Sequence, residues 1–249
     1  MNIIRNYFRK RRVRAHLRTN GSSFDFHGQS VRVPDGVDIA LVNALIKSKY
    51  EREETAFVKT HLPAYAPVIE LGGSLGIVSA LIGSQLDPNV LHLIVEANPY
   101  LIEICQENAS QRGARSATKV VNAALSYEGP QVSFTIGDNE HVSRLSSTPK
   151  PIWGGRMITV EAVTLAALHA RIGAPEGYSL VCDIEGAEIA MVEHDEETLA
   201  MAGLIVLETH PAFYTGGEAE AAMLCARITA LGFTEIARDG AVVVFTSTP

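Results

Sequence analysis

Two apolar segments that each lead into an acidic residue constrain this chain most. The first, Val68-Ile-Glu-Leu-Gly-Gly-Ser-Leu-Gly-Ile-Val-Ser79, turns through glycines into a helix-like run. The second, Leu93-Ile-Val-Glu-Ala-Asn-Pro99, contains Glu96, twenty residues after Gly76. Parallel strands bring their carboxyl ends to one edge of a sheet, and this spacing is the layout of a nucleotide-type ligand pocket at that edge. The pattern predicts an α/β fold with a binding site there.

The glycine spacing discriminates between ligands. A dinucleotide fingerprint reads G-x-G-x-x-G, but counting from Gly72 the third position is Ser74 and the sixth is Ile77. The motif present is E-x-G-x-x-x-G, formed by Glu70, Gly72 and Gly76. Backbone amides at a helix N-terminus hold phosphate, and a leading acid would repel that anion. The acid suits a ligand with a cationic amino-acid end, such as S-adenosylmethionine.

The second acid adds a contact to the same ligand. Glu96 is placed at the end of the next strand, where a carboxylate can accept both hydroxyls of a ribose. The alternative is a tight strand-to-helix turn whose glycines serve packing and whose acids cap helices. Because the two acids fall at two successive strand ends, the cofactor pocket is favoured. The glycine spacing disfavours a NAD-dependent oxidoreductase.

Composition indicates one globular α/β domain. The chain has 249 residues, of which 47% are hydrophobic, and no apolar run approaches the roughly 20 residues of a membrane span. Three cysteines (Cys105, Cys182 and Cys225) lie far apart and mostly within apolar runs. They are expected to be reduced core thiols. With no recognisable secretory signal at the start of the chain, the default localisation is cytoplasmic.

Charge is distributed unevenly along the chain. Residues 1–18 carry seven Lys and Arg and no acid, although the formal net charge of the whole chain is −7. The acidic body argues against binding nucleic acid, which requires a positive face. The basic segment predicts a solvated or loosely docked helix, with a peripheral contact to an anionic membrane as the alternative.

The remaining sequence alternates between strand-like and helix-like segments. Strands are predicted near 67–71, 90–95, 118–122, 178–183, 203–208, 233–237 and 241–246. Helices are predicted near 38–48, 51–62, 75–86, 99–112, 164–172, 185–200 and 217–231. The turn Arg238-Asp-Gly240 joins the last two strands as a hairpin. One antiparallel strand therefore closes an otherwise parallel, doubly wound, seven-stranded sheet.

Three parts are expected along the chain: a basic segment over 1–20, a hairpin with helices over 21–66, and the cofactor-binding domain over 67–249. The domain contains a polar insertion at about 126–160. Long loops on such scaffolds often form substrate lids. We expect a lid here, and we interpret its His141 as a solvated loop residue rather than a catalytic one.

Seven sequence blocks carry a family resemblance. They are Tyr50-Glu51 with Glu54, the Glu70–Gly76 motif, Val95-Glu-Ala-Asn-Pro99, Asn122-Ala-Ala-Leu-Ser126, Ile158–Leu165, Val181-Cys-Asp-Ile-Glu-Gly-Ala-Glu188 and Val206-Leu-Glu-Thr-His210. Over about residues 50 to 210 the chain resembles the FkbM family of S-adenosylmethionine-dependent methyltransferases. It departs at Glu70, Gly73 and Cys182, where the family more often has Asp, Ala and Lys. The resemblance implies a Rossmann-like class I methyltransferase fold with a short N-terminal helical and hairpin extension.

The resemblance also implies roles for individual residues. The methionine end of S-adenosyl-L-methionine would be held by Glu70, Gly72, Ser74 and Gly76. The ribose and adenine would be bound by Glu96, Ala97, Asn98, Asn122, Ala123 and Ala124. The methyl group would pass to a hydroxyl of a sugar, polyketide or other small metabolite.

Methyl transfer to an alcohol needs alignment and a route for the hydroxyl proton. The fourth strand is expected to end at Asp183, with Glu185 and Glu188 at the mouth of the next helix, and Glu208 and His210 end the fifth strand. Asp183, His210 and Glu185 are the candidate catalytic residues. Asp183 and Glu208 are candidate Mg²⁺ ligands. Capping of helix starts is the alternative role for these acids.

Three functions stay open at this point. The favoured one is methylation of a small-molecule acceptor. The alternatives are an RNA or protein methyltransferase that grips its substrate with the basic segment, and a non-catalytic scaffold that binds the cofactor. The terminal extension and the insertion are compatible with a homodimer.

Overall fold

The computed structural model describes residues 2–110, 117–137, 143–145 and 155–248. The chain begins with the elements α1 (Asn2–Asn20), β1 (Ser23–Phe26), β2 (Gln29–Arg32), α2 (Ile39–Ile46) and α3 (Arg52–His61). The next are β3 (Val68–Leu71), α4 (Ile77–Gln85), β4 (Leu91–Glu96), α5 (Ile102–Ala109) and β5 (Ala117–Asn122). An insertion follows with β6 (Ala124–Leu125), β7 (Gln131–Ile136), β8 (Ser143–Leu145) and β9 (Arg156–Val163). The chain ends with α6 (Leu165–Arg171), β10 (Tyr178–Cys182), α7 (Glu188–His194), α8 (Glu196–Ala200), β11 (Ala202–Glu208), α9 (Glu218–Ala230), β12 (Phe233–Asp239) and β13 (Val242–Ser247).

A seven-stranded sheet organises the molecule, in the order β12-β13-β11-β10-β3-β4-β5. Of these seven strands, β13 alone runs in the direction opposite to the other six. The predicted fold is confirmed, because this is the Rossmann-like arrangement of class I methyltransferases. The chain leaves β3 towards β4 on one side and returns to β10 on the other. Ligands of doubly wound sheets bind at such a switch point, outside the carboxyl ends of the strands.

The central strands are apolar on both faces because both faces are covered. In β3 and β10 every residue is buried. On one face of the sheet, Ile69 and Leu180 pack with apolar residues of α6, α7 and α9. On the other face, Val68 and Val181 pack with apolar residues of α4 and of the N-terminal elements. Continuous apolar runs are typical of parallel strands buried in this way.

The insertion forms a separate sheet in the order β6-β9-β7-β8. The longest pairing in this sheet is the antiparallel one between β7 and β9. These strands contribute to a small apolar cluster that includes Phe134 and Val160. Most of the predicted lid loop, including His141, lies outside the described residues. Its role as a lid stays a prediction.

The prediction of one continuous helix over 185–200 is wrong. The structure has two short helices, α7 and α8, which meet at Asp195. The Asp195 carboxylate accepts hydrogen bonds from the Tyr127 hydroxyl (2.5 Å) and the Ala166 amide (3.2 Å). The backbone of Asp195 is not helical (φ −123°, ψ 33°), and these contacts hold its side chain at the break. The start is also later than predicted, because Glu185 and Gly186 have positive φ.

The basic helix α1 is docked by its second half. Val13 is buried, Arg12 donates to the Asn43 side chain (2.8 Å), and the His16 ring stacks on Phe24. Towards the start of α1, Tyr7 and Phe8 are exposed. Neither α1 nor any other helix in the described part of the chain combines the length and apolar character needed to cross a bilayer.

One glycine is required by a close approach between two strand ends. Gly72, directly after β3, has φ of +93°. A Cβ at this position would overlap the backbone carbonyl of Asp183, directly after β10. Backbone cannot move aside as a flexible side chain does, so any side chain at Gly72 would separate the two central strands.

We predict that Gly72→Ala destabilises the fold by more than its backbone conformation alone requires. Gly36 is the matched control, since its φ is +90° but a Cβ there meets nothing within 4 Å. Both substitutions carry a left-handed backbone penalty of about 1–2 kcal/mol, and Gly72→Ala adds an overlap worth about 1–3 kcal/mol. Urea unfolding measures both. Equal losses of free energy of unfolding would contradict the close approach.

Candidate active site

The loop after β3 is held against the end of β4 by backbone hydrogen bonds. The amides of Gly72 and Gly73 both donate to the Val95 carbonyl, at 2.9 and 3.1 Å. Gly76 then begins α4 with φ of +71°, and a Cβ there would lie 2.8 Å from Cα of Cys105. The glycines of the motif are therefore used for tight turns and for packing the loop against α5.

The Glu96 carboxylate joins two loops at the switch point. One of its oxygens accepts from the Ser74 amide and the other from the Asn98 amide, each at 2.6 Å. Burial raises the pKa of Glu96 to about 7, against the lowering effect of these hydrogen bonds. An acid at the end of β4 thus fixes the glycine loop beside it.

A cavity of about 570 Å³ opens over this junction. Its wall includes eight of the predicted site residues: Gly72, Ser74, Glu96, Ala97, Ala123, Ala124, Asp183 and Glu185. The opposite wall comes from α2, the start of α3 and the insertion, through residues such as Leu41, Tyr50, Glu51 and Phe134. The volume lies within the range of small-molecule and cofactor sites.

Glu70 does not line this cavity, so its expected contact with the methionine end needs correction. Its side chain is buried under the loop, where its two oxygens contact the Ser79 hydroxyl (2.7 Å) and Nε2 of the fully buried His92 (2.6 Å). β3 alternates its side chains between the two faces of the sheet. Glu70 therefore points into the layer between the sheet and α4, where it supports the loop.

Three more predicted residues do not line the cavity either. Gly76 is absent from the lining and begins α4. Asn98 is fully buried, and its side-chain oxygen accepts from the Tyr100 amide at 3.0 Å. Asn122 donates from its side chain to the carbonyls of Glu96 (2.9 Å) and Ala97 (3.1 Å). Of the residues predicted to bind the adenine, Ala97, Ala123 and Ala124 line the cavity.

Two of the three predicted catalytic residues, Asp183 and His210, lie together at the ends of β10 and β11, and the third, Glu185, lines the cavity. Nε2 of His210 lies 3.2 Å from Oδ1 of Asp183, and Nδ1 lies 2.6 Å from Oε1 of Glu188. Glu188 is fully buried, and its other oxygen accepts from the Gly186 amide (2.9 Å) and the Tyr214 hydroxyl (3.1 Å). The His210 ring is therefore held between two carboxylates. A carboxylate oxygen of Glu208 is also close: it, a carboxylate oxygen of Asp183 and a ring nitrogen of His210 all lie within 4.8 Å of one another.

This arrangement changes the role expected of His210. Burial lowers its pKa, but hydrogen bonds with Asp183 and Glu188 outweigh burial and raise the pKa to about 11. An imidazolium at neutral pH cannot accept the hydroxyl proton. With its pKa raised in this way and no metal at the cluster, His210 is suited to be a partly buried cation rather than a general base.

Sequence reasoning did not assign Glu51, directly before α3, or Glu54, in its first turn, to the site. Burial and Asp183 raise the pKa of Glu51 to about 7, and burial and Asp183 raise that of Glu54 well above its usual range. Burial and Asp183 likewise raise the pKa of Glu208 to about 7. Such shifts show carboxylates that face one another with too little positive charge nearby. The signal in the sequence was the acid-rich start of α3 within the family resemblance.

Tyr214 was also missed. Its hydroxyl donates to Glu188 (3.1 Å) and accepts from the His210 amide (2.9 Å), so it fixes both partners of the pair. A tyrosine six residues beyond a strand end has no distinctive sequence pattern. Its place was decided by the turn that follows β11.

Comparisons with known proteins find only distant structural similarity. No family model matches the sequence, and no curated protein does. A methyltransferase from Pyrococcus furiosus is 13% identical with a TM-score of 0.47, covering 97% of this chain and 98% of that one. Precorrin-6y C5,15-methyltransferase from Geobacter metallireducens GS-15 is 15% identical with a TM-score of 0.45, covering 86% and 91%. Magnesium protoporphyrin IX methyltransferase from Synechocystis PCC 6803 with bound SAH is 11% identical with a TM-score of 0.44, covering 78% and 80%.

We predict that the ligand-free protein loses stability as the pH rises from about 5.5 to about 8. Glu51, Glu96 and Glu208 have pKa values raised to about 7 in the folded state. Their contribution is fully present below the unfolded pKa of about 4.5 and is lost as the pH rises through about 7. His210 acts in the same direction, since its raised pKa makes its contribution fall above about 6.5.

Melting temperatures at several pH values measure this effect. The Glu51→Gln variant should show a shallower fall with pH, because one titrating group is removed. Glu103→Gln, which changes an exposed acid on α5, should keep the wild-type slope. A melting temperature that rises over this range would contradict the prediction.

Proposed function

We propose that this protein is an S-adenosylmethionine-dependent methyltransferase of the FkbM type that methylates a hydroxyl of a sugar, polyketide or other small metabolite. The observation that carries the proposal is the junction at the switch point. There the Glu96 carboxylate is bonded to the Ser74 and Asn98 amides on the floor of a cavity of about 570 Å³. This is where a doubly wound fold binds the ribose of its ligand.

The charge of the cavity supports a cationic ligand. Six acidic residues stand on its wall in the described structure: Asp38, Glu51, Glu53, Glu96, Asp183 and Glu185. The basic residues there are Lys49 and Arg52, and Arg52 is paired with Glu53 at 2.7 Å. A pyrophosphate would be repelled by such a wall, whereas a sulfonium with an ammonium group would be attracted.

The geometry supports an in-line displacement at the edge of β10. When bound, S-adenosylmethionine supplies the methyl group: the carbon–sulfur bond breaks, sulfur keeps the electron pair, and the oxygen–carbon bond forms. Asp183 and Glu185 line the cavity at this edge and can orient the acceptor hydroxyl. The hydroxyl proton has to go to a base. Glu51, with a pKa near 7 and a place on the cavity wall, is suited to accept it.

We predict that Glu96→Gln lowers the affinity for S-adenosylhomocysteine about 10- to 100-fold, since hydrogen bonds to charged groups contribute about 1.5–3 kcal/mol. Isothermal titration calorimetry measures the affinity. Glu103→Gln is the matched control, because it removes an exposed acid from the following helix. A wild-type protein that does not bind S-adenosylhomocysteine, or a Glu96→Gln variant that binds it equally well, would refute the cofactor assignment.

A macromolecular acceptor is the second candidate, and the exposed basic part of α1 favours it. Deleting residues 1–18 would test it poorly, because the deletion also removes the buried Val13 and the His16 stacking contact. Reversing the charges of the outer residues Arg9, Lys10 and Arg11 leaves that packing in place. The membrane contact through residues 1–18 and the homodimer stay predictions.

We predict that the charge-reversed variant Arg9→Glu, Lys10→Glu, Arg11→Glu transfers labelled methyl groups to small alcohols as fast as the wild type. The expected acceptors are found by screening glycosides and polyketide alcohols alongside RNA and protein. Transfer to RNA or protein that disappears in the variant would support the macromolecular alternative. Cofactor binding without transfer to any acceptor would support a scaffold.

A further inference from the structure

Three donor side chains converge beside the cavity, outside the contacts needed to bind the cofactor. Asp183 follows β10, Glu208 ends β11, and His210 lies two residues further on. One ligand atom of each lies within 4.8 Å of the others. The three come from two adjacent parallel strands, so the sheet itself sets their separation.

The histidine is oriented as a metal ligand would be. Metal-binding histidines usually donate their second ring nitrogen to a carboxylate, which fixes the tautomer and the direction of the ring. Nδ1 of His210 lies 2.6 Å from the fully buried Glu188, which the Gly186 amide and the Tyr214 hydroxyl hold in place. Nε2 is left facing Asp183.

The donor cluster lies in surroundings that are rich in negative charge. Oδ1 of Asp183 is closed to solvent, and Nε2 of His210 lies 3.2 Å from it. Glu54 is only 6% exposed and interacts electrostatically with Asp183 and Glu208. Carboxylates that are removed from water and share one histidine are costly unless a further cation compensates their charge.

We propose that Asp183, Glu208 and His210 bind a divalent cation, with Glu188 and Tyr214 as positioning residues for His210. Two carboxylates and one imidazole form a mixed oxygen and nitrogen set, which suits Mn²⁺ and is also open to Mg²⁺. The protein supplies three donors, so further coordination positions are available to water or to the acceptor.

The site would have a direct use in the reaction, a use that rests on the proposed function. An acceptor hydroxyl bound to the cation has its pKa lowered, as happens for metal-bound water. The proton leaves to a carboxylate of the cavity wall, and the oxygen keeps the electron pair with which it attacks the methyl carbon. Acceptors with two neighbouring oxygens, such as vicinal diols, would chelate the cation and are the favoured substrate class.

The experiment uses Mn²⁺ alone with the full chain, before any acceptor is known. Electron paramagnetic resonance should show one bound Mn²⁺ per chain, and pulsed measurements should detect coupling to one imidazole nitrogen. His210→Ala should abolish that coupling. Glu188→Gln should weaken Mn²⁺ about 10- to 100-fold, the range typical of groups that orient a ligand. Glu193→Gln, on the surface of the same helix, should bind Mn²⁺ as the wild type does.

The outcomes separate the two proposals. A folded wild-type protein that binds S-adenosylhomocysteine but no Mn²⁺ would overturn the metal site and leave the methyltransferase proposal standing. Bound Mn²⁺ without nitrogen coupling, or with coupling unchanged in His210→Ala, would also overturn it. Bound Mn²⁺ with the expected coupling in a protein that does not bind S-adenosylhomocysteine would support the metal site and refute the proposed cofactor. The wild-type spectrum decides the question even where a variant fails to fold.

Discussion

The hydrogen bonds of the Glu96 carboxylate are the contact on which the site depends. They join the Ser74 amide after β3 to the Asn98 amide after β4, and so connect the two loops that border the switch point. A carboxylate buried at 7% exposure is stable there because these amides compensate for the lost water. The same group faces the cavity, so one side chain both holds the loop and remains available to a ligand.

The second constraint is an excess of negative charge around one histidine. Asp183 and Glu188 flank the His210 ring, and Glu51, Glu54 and Glu208 interact electrostatically with Asp183 in this part of the described structure. A fold retains such a cluster at a cost in stability, which is reasonable when a cation belongs there during function. The sulfonium of the proposed cofactor and a divalent cation would each relieve part of this repulsion.

Much of the fold could be predicted because its signals are local. The apolar runs of β3 and β4, the glycines between β3 and α4, and the hairpin around Gly240 all appear in the sequence and in the structure. The break at Asp195 could not be predicted, since the Asp195 side chain is held there by Tyr127, sixty-eight residues away. Helix propensity carries no information about such a distant partner.

The candidate site, too, could be predicted from the sequence only in part. Residue types and spacing were sufficient to place an acid at each of four strand ends and to exclude a phosphate cradle, because these are properties of neighbouring residues. Tertiary structure decided what each acid does. It buried Glu70 against His92, left Glu96 on the cavity wall, and enclosed His210 between Asp183 and Glu188. The direction and burial of a side chain depend on elements distant in the chain, and a carboxylate's pKa and partners follow from them.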